Sequence, residues 1–351
     1  MDAITRRVQK FGKSTLMVSL PAKWVKQVNL KPGDEVLIEV INNVSLRITP
    51  LSMLSKLPEK SVRILISRTS SEETLTRCLY ATYILGYDRI VIESKDGYLS
   101  EYQLKSIRQL IRNLIGLEIV EYSPNRITMQ VFVDPTRYPV VELLKRMCNL
   151  LKFMIEHFTT AIVDGQYYLL HEVKELENEI DRLYALTVRQ LLLSTHIPRK
   201  SPLGIPLATE YRIIAKSLED SGDAVNQAAK ILIEFYVDLE KEFAEINDML
   251  RELTDTISLI IERIIIAFDT LDPMLINELI SHTNELNKHI GRYDAMISRK
   301  LKHNKTYTIM RGILDRFYIV SRNLKTIAAV SYTHLRAHET SLHLVCRLLL
   351  E

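Results

Sequence analysis

LENEIDRLYALTVRQL, residues 176–191, lies over LNKHIGRYDAMISRKL, residues 286–301, at a constant offset of 110 (286 against 176), with Leu, Ile, Arg, Ala, Arg and Leu matched in order. Each copy falls in the second of three long helical patterns. The patterns span about 139–163, 166–195 and 206–237, then 239–270, 272–303 and 305 onward. Breaks at Asp164-Gly165, Pro198 to Pro206 and Asp272-Pro273 separate them, because glycine and proline interrupt helical hydrogen bonding. Three helices, a repeat, and three more predict two three-helix bundles in tandem over 138–329.

Upstream the periodicity changes. VRILISR and DRIVIES read as strands, SEETLTRCLYATYILGY as a helix capped by Ser70 or Ser71, and SEYQLKSIRQLIRNLI as an amphipathic helix. LEIVEYS and RITMQVFVD close the segment as an antiparallel pair, so 62–135 is expected to be a small α/β domain. No glycine-rich loop follows its first two strands, which argues against a phosphate-cradling nucleotide site. A spacer, a dimer contact and a small-ligand sensor all stay open as its role.

The first fifty residues alternate like short strands around one short helix, AKWVKQ, with turns at Lys31-Pro32-Gly33-Asp34 and Asn42-Asn43. Such a segment buries little apolar surface alone, so dimerisation is expected. Between residues 3 and 31 stand Arg6, Arg7, Lys10, Lys13, Lys23, Lys26 and Lys31, with no acidic residue. The whole chain of 351 residues has 46 basic and 43 acidic side chains, a net +3 that conceals this local excess. Its 47% hydrophobic and 25% charged residues exclude a mainly disordered chain. The three cysteines, Cys78, Cys148 and Cys346, form no C-x-x-C pair, so neither a disulfide framework nor a thiolate zinc site is indicated. A reducing, cytoplasmic setting is expected, without membrane insertion, since ISLIIERIIIAF is interrupted by Glu262 and Arg263.

GKSTLMVSLPAKWVKQVNLKPGDEVLIEV, residues 12–40, resembles the AbrB/MazE/SpoVT swapped-hairpin family in its basic strand, its proline turn into a helix, and its G-D before a hydrophobic strand. The resemblance covers about residues 4–50 and implies an interleaved β-barrel homodimer presenting basic strands to DNA from a domain at 1–50. Carried over by position, Arg6, Arg7, Lys10 and Lys13 are expected to contact DNA, with Lys23 and Lys26 in support. Other members of that family are antitoxins or pure dimerisation units.

The helical half resembles the PhoU family of phosphate-uptake regulators, with tandem bundles and E(D)-x-x-x-D signatures. The first bundle carries two, Glu177-Asn-Glu-Ile-Asp181 and Glu219-Asp-Ser-Gly-Asp223. Residues four apart share a helix face, and like charges there are destabilising unless a cation offsets them. Glu177, Asp181, Glu219 and Asp223 are therefore expected to hold a divalent or trivalent metal ion of unknown identity, with Asn226 hydrogen-bonding in the same patch. In the second bundle Asn287 and Gly291 replace the first pair, and Asp315 and Ile319 stand near the second, so at most one metal patch is expected. Gly222 in mid-helix costs about 1 kcal/mol relative to alanine, which close approach by a neighbouring helix or a ligand would explain.

Residues 330–351, VSYTHLRAHETSLHLVCRLLLE, resemble a translated sequencing adapter: a fixed VSYTHLRAHET, two or three variable residues, then LVCRLLLE. A non-native tail is implied, with the sixth helix truncated near Ala329, and the H-x-x-x-H of His334 and His338 is set aside. His171-Glu172 fails the H-E-x-x-H zinc pattern, since position 175 is Glu, and no P-loop or G-x-S-x-G occurs, so no enzyme is indicated. The resemblances together imply an archaeal-type fusion, a multidomain α+β regulator of phosphate uptake that binds DNA as a homodimer. The alternative is a PhoU-type adaptor that restrains a phosphate transporter or sensor kinase, with the first domain serving mainly to dimerise.

Overall fold

The computed structural model describes residues 4–12, 15–41, 45–54, 59–134, 138–196, 205–235, 247–270, 272–300 and 305–348. The chain divides into two compact units, Met1–Glu59 and Lys60–Glu351.

In the first unit β1 (Gln9–Phe11) pairs antiparallel with β2 (Thr15–Met17), and β3 (Val36–Ile41) with β4 (Ser45–Pro50). Between them lies α1 (Ala22–Gln27), and α2 (Leu51–Leu54) follows. The Lys31–Asp34 turn forms as expected: the Lys31 amide donates to Asp34 Oδ2 at 2.7 Å, and Gly33 takes φ +93°, where a Cβ would strain the backbone. The Asn42-Asn43 turn lies outside the described residues. Among those described in this unit, no Val, Leu, Ile, Met, Phe or Trp is buried. Leu16 is 70% exposed and Phe11 64%. Alternating strands this apolar and this open lack a second layer.

The second unit begins with a four-stranded sheet in the order β5-β6-β8-β7, formed by Ser61–Ile66, Arg89–Ser94, Arg126–Val131 and Leu117–Ser123 respectively. β5 and β6 run parallel through the crossover helix α3 (Glu72–Ile84), whereas β6, β8 and β7 are antiparallel neighbours. Ser71, the second of the two expected caps, accepts from the Thr74 amide, and α4 (Glu101–Arg112) opens with a full Ser100/Gln103 capping box. Leu75, Leu79 and Tyr83 of α3 and Ile107 and Leu110 of α4 close over Ile90, Ile92, Ile127 and Met129 of the sheet. The opposite sheet face mixes Leu65 and Val91 with charged residues, and on it Arg89 reaches Glu121 at 3.0 Å.

Six long helices follow: α5 (Val140–Val163), α6 (Leu169–His196), α7 (Ile205–Phe235), α8 (Asn247–Thr270), α9 (Pro273–Lys300) and α10 (Lys305–Leu348). α5, α6 and α7 pack together, as do α8, α9 and α10, and the two sets join along α7 with α10 and α5 with α8. One continuous core fills both sets. Across the join Phe158 stacks obliquely on Phe317 at 5.4 Å, and Asn323 donates to Ser221 Oγ at 3.2 Å. Backbone helix α10 continues past Ala329, the expected truncation point, to Leu348, and Ser331 is still buried.

The α/β domain and the first bundle are tied by α6. Ala185 belongs to the core of the α/β domain. The buried Arg189 guanidinium donates to the carbonyls of Tyr83 and Tyr87 at 2.7 and 2.8 Å and to Asp88 Oδ1 at 3.1 Å. Burial would disfavour its charge; Asp88 and two carbonyls replace the lost hydration. Leu193 packs so close to Gly86, at φ +81°, that a Cβ there would fall 2.7 Å from its Cδ2.

Candidate metal centre

α6 and α7 run antiparallel: Lys216 Nζ lies over the Tyr184 ring at 5.7 Å, while Ile180, earlier on α6, packs on Gly222, later on α7. A Cβ on Gly222 would meet Ile180 Cδ1 at 3.2 Å, so the close neighbour foreseen for this glycine is a helix. That approach brings Glu177 of α6 opposite Asp223 of α7.

Carboxylate oxygens of Glu177, Asp181 and Asp223 all lie within 4.8 Å of one another. Oxygens at that spacing can each stand about 2.0–2.6 Å from one central ion, the range of calcium- and magnesium-type coordination. Asn226, 3% exposed, favours the charged form of Glu177, whereas the neighbouring Asp223 disfavours it. The three acids and the amide form a hard oxygen donor set that fits a divalent or trivalent ion.

The electrostatics record the crowding. Asp181, although open to solvent on one side, is pushed from 3.8 up to about 7, by burial first and then by Glu177, Glu219 and Asp223. Burial also raises Glu177, helped by Asp223 and opposed by Asn226 and Lys230. Glu219 is not brought into the group of three. Its carboxylate pairs with Lys216, three residues earlier on α7, which partly offsets the upward push of burial. Of the four expected ligands, three converge and the fourth is held by a lysine.

Glu219 instead helps line a cleft of about 270 Å³ between this bundle and the α/β domain. Asp181 and Tyr184 form one wall; Tyr80 of α3 and Asn113, just past α4, form the other. Burial, followed by Tyr184, Glu219 and Asp181, pushes the Tyr80 hydroxyl up to about 12, so it stays a neutral donor beside the acids. Sequence reasoning did not find Tyr80 or Asn113. Nothing in their local pattern signals residues so far downstream, whereas Tyr184 stands one turn from Asp181 and was within reach.

Among the described residues the second bundle has no comparable carboxylate group. Gly291 meets nothing within 4 Å of an added Cβ, and Ile319 packs against the core.

The basic residues of the first unit are displayed rather than packed. Arg6 and Arg7 are exposed in the segment leading into β1, Lys10 is exposed on β1, and Lys23 and Lys26 are exposed on α1. Lys13 lies outside the described residues. No helix among the described residues is long and apolar enough to cross a membrane.

Residues 9–55 match the family model described as "Antidote-toxin recognition MazE, bacterial antitoxin", and residues 144–232 match that of the PhoU domain. No curated protein matches the chain. Among solved structures, it is similar to the crystal structure of PhoU from Pseudomonas aeruginosa, at 14% identity and a TM-score of 0.49, over 56% of this chain and 96% of that one. One polypeptide thus carries a segment that matches the MazE model and a segment that matches the PhoU-domain model.

Proposed function

We propose that this chain is a cytoplasmic DNA-binding regulator of phosphate uptake, in which the PhoU domain receives the signal and the MazE/AbrB-like unit engages DNA. The observation that carries the reading is the presence in one chain of the two matched segments, the first with its cations exposed and the second with converging carboxylates. Both matched segments belong to regulatory families, which favours a non-enzymatic role.

The first unit acts as a homodimer. Exposed Phe11, Leu16, Val18, Ile38 and Leu46 need a second copy to cover them, at about 25 cal/mol per Å² of apolar surface removed from water. Dimerisation doubles the number of Arg6, Arg7, Lys10, Lys13, Lys23 and Lys26 cations, and such cations bind phosphates by releasing counterions. In the PhoU domain Glu177, Asp181 and Asp223 hold the metal ion, with Asn226 orienting Glu177. The ion neutralises like charges that α6 and α7 otherwise press together. A metal or protein partner that favours one arrangement of the bundles shifts the population of DNA-competent dimer.

Titration of the intact protein with duplex DNA over a range of salt tests this. Binding should weaken steeply as salt rises, and Arg7→Ala with Lys10→Ala should flatten the slope. Genome-wide immunoprecipitation should enrich DNA upstream of phosphate-transport genes. Negligible affinity at low salt would instead favour an adaptor acting on a phosphate transporter or sensor kinase.

A further inference from the structure

We propose that α4 of the α/β domain is a second DNA-contacting surface, gripping the phosphate backbone through Lys105, Arg108 and Arg112. The inference rests on the DNA-binding reading above and gives the α/β domain a part in it.

The spacing places all three cations on one side of the helix, since residues three, four and seven apart share a face. The other side is committed: Ile107 and Leu110 are in the domain core, and Ser106 and Gln103 are buried. Lys105, Arg108, Gln109 and Arg112 are exposed, and with Glu101 and Leu104 they line an open groove of about 620 Å³ along the helix.

The charge on this face is uncompensated, whereas four arginines elsewhere in the domain find acids. Arg63 pairs with Glu93, Arg77 with Glu73, and both Arg89 and Arg126 with Glu121. Among the described residues, none of the three α4 cations pairs with a carboxylate, although Glu101 stands one turn before Lys105. Paired arginines make a solvated surface; an unpaired row of them attracts a polyanion from solution.

Duplex DNA fits this row. From 105 to 112 the helix rises about 10 Å at 1.5 Å per residue, the axial length over which one DNA strand presents about three phosphates. Two of the three cations are arginines, whose planar forks bind phosphate oxygens in pairs. Interactions of this kind add affinity and fix orientation without reading sequence, leaving base recognition to the first unit.

The test uses the intact chain and one duplex, with affinity measured against salt for the wild type, for Lys105→Ala/Arg108→Ala/Arg112→Ala, and for Arg7→Ala/Lys10→Ala. Removing one cation from a phosphate should reduce the slope of log K against log salt by about 0.9, so the α4 variant should flatten it by about 3 per protomer. Arg108→Lys/Arg112→Lys should keep most of the slope, and unchanged melting of the alanine variant shows that folding is not the cause. If the wild type binds DNA and the α4 variant keeps its full slope, α4 is not a DNA surface and the first unit acts alone. If the α4 variant loses affinity for polyglutamate but not for DNA, the face serves an acidic protein and the proposal falls. If the wild type binds no DNA at low salt, this proposal and the reading beneath it fall together.

Discussion

The two three-helix bundles each pack three long helices together but differ in the electrostatics between their second and third helices. Ile180 and Ile290, equivalent across the repeat, are both buried, at 0 and 5% exposure. Around them the grooves differ. Between α6 and α7 carboxylate meets carboxylate, with Glu177, Asp181 and Asp223 in one group. In the equivalent groove of the second bundle, between α9 and α10, Lys325 donates to the neutral Asn284 at 2.9 Å, and among the described residues no three carboxylates come together. A shared apolar stripe is enough to specify the bundle, and it leaves the groove's charge free. Like charges brought together cost stability unless a proton or a cation offsets them.

The largest expected effect breaks this contrast at its source. Asp181→Asn with Asp223→Asn should abolish stoichiometric metal binding by the intact chain, whereas Asp315→Asn in the second bundle should leave it unchanged. Metal analysis after dialysis against magnesium, manganese or iron would show this, and one retained equivalent in the double variant would erase the distinction between the bundles.

A smaller effect concerns pH. Asp181 is raised from 3.8 to about 7 in the folded chain, so between those values the native state binds more protons than the unfolded one. Its contribution to stability is therefore complete below about pH 4 and is lost as pH rises through about 7, the reverse of a salt-bridged aspartate. Glu177 and Glu219, also raised, act in the same direction. Melting in chelator should weaken between pH 5 and pH 8, and saturating divalent metal at pH 8 should restore the loss. A metal-free protein more stable at pH 8 than at pH 5 would contradict the crowded-carboxylate account.

The smallest effect sharpens the packing side. Gly222→Ala gains about 1 kcal/mol of helix propensity but pushes on the buried Ile180 Cδ1, so stability measured in denaturant should change by no more than about 1 kcal/mol. A loss above about 2 kcal/mol would mean that the α6–α7 spacing, and with it the Glu177–Asp223 approach, cannot yield.

Much of this was legible in local pattern. The helix breaks at Asp164-Gly165 and Asp272-Pro273 mark real ends, and Ser71 and Ser100 cap the helices they precede. Both follow from hydrogen bonding within a few residues. The carboxylates were legible as two i, i+4 pairs, because a helix face follows from spacing alone. That Glu219 turns to Lys216 while Asp223 turns to Glu177 was not, since each depends on how α7 rotates against α6. The unpaired row on α4 was equally hidden. Its cations stand in plain sight, but only the folded domain shows that Arg63, Arg77, Arg89 and Arg126 find acids while these three do not.

By itself the sequence determined the order of elements, the duplicated bundles, the basic start and the acidic pairs, because periodicity, capping and charge are properties of neighbours along the chain. Tertiary structure alone decided which carboxylates converge, that Tyr80 faces them from another domain, and that the first unit keeps its apolar strands exposed. The physical reason is that spacing assigns a residue to a face, whereas the partner of that face is chosen by packing between segments far apart in the chain.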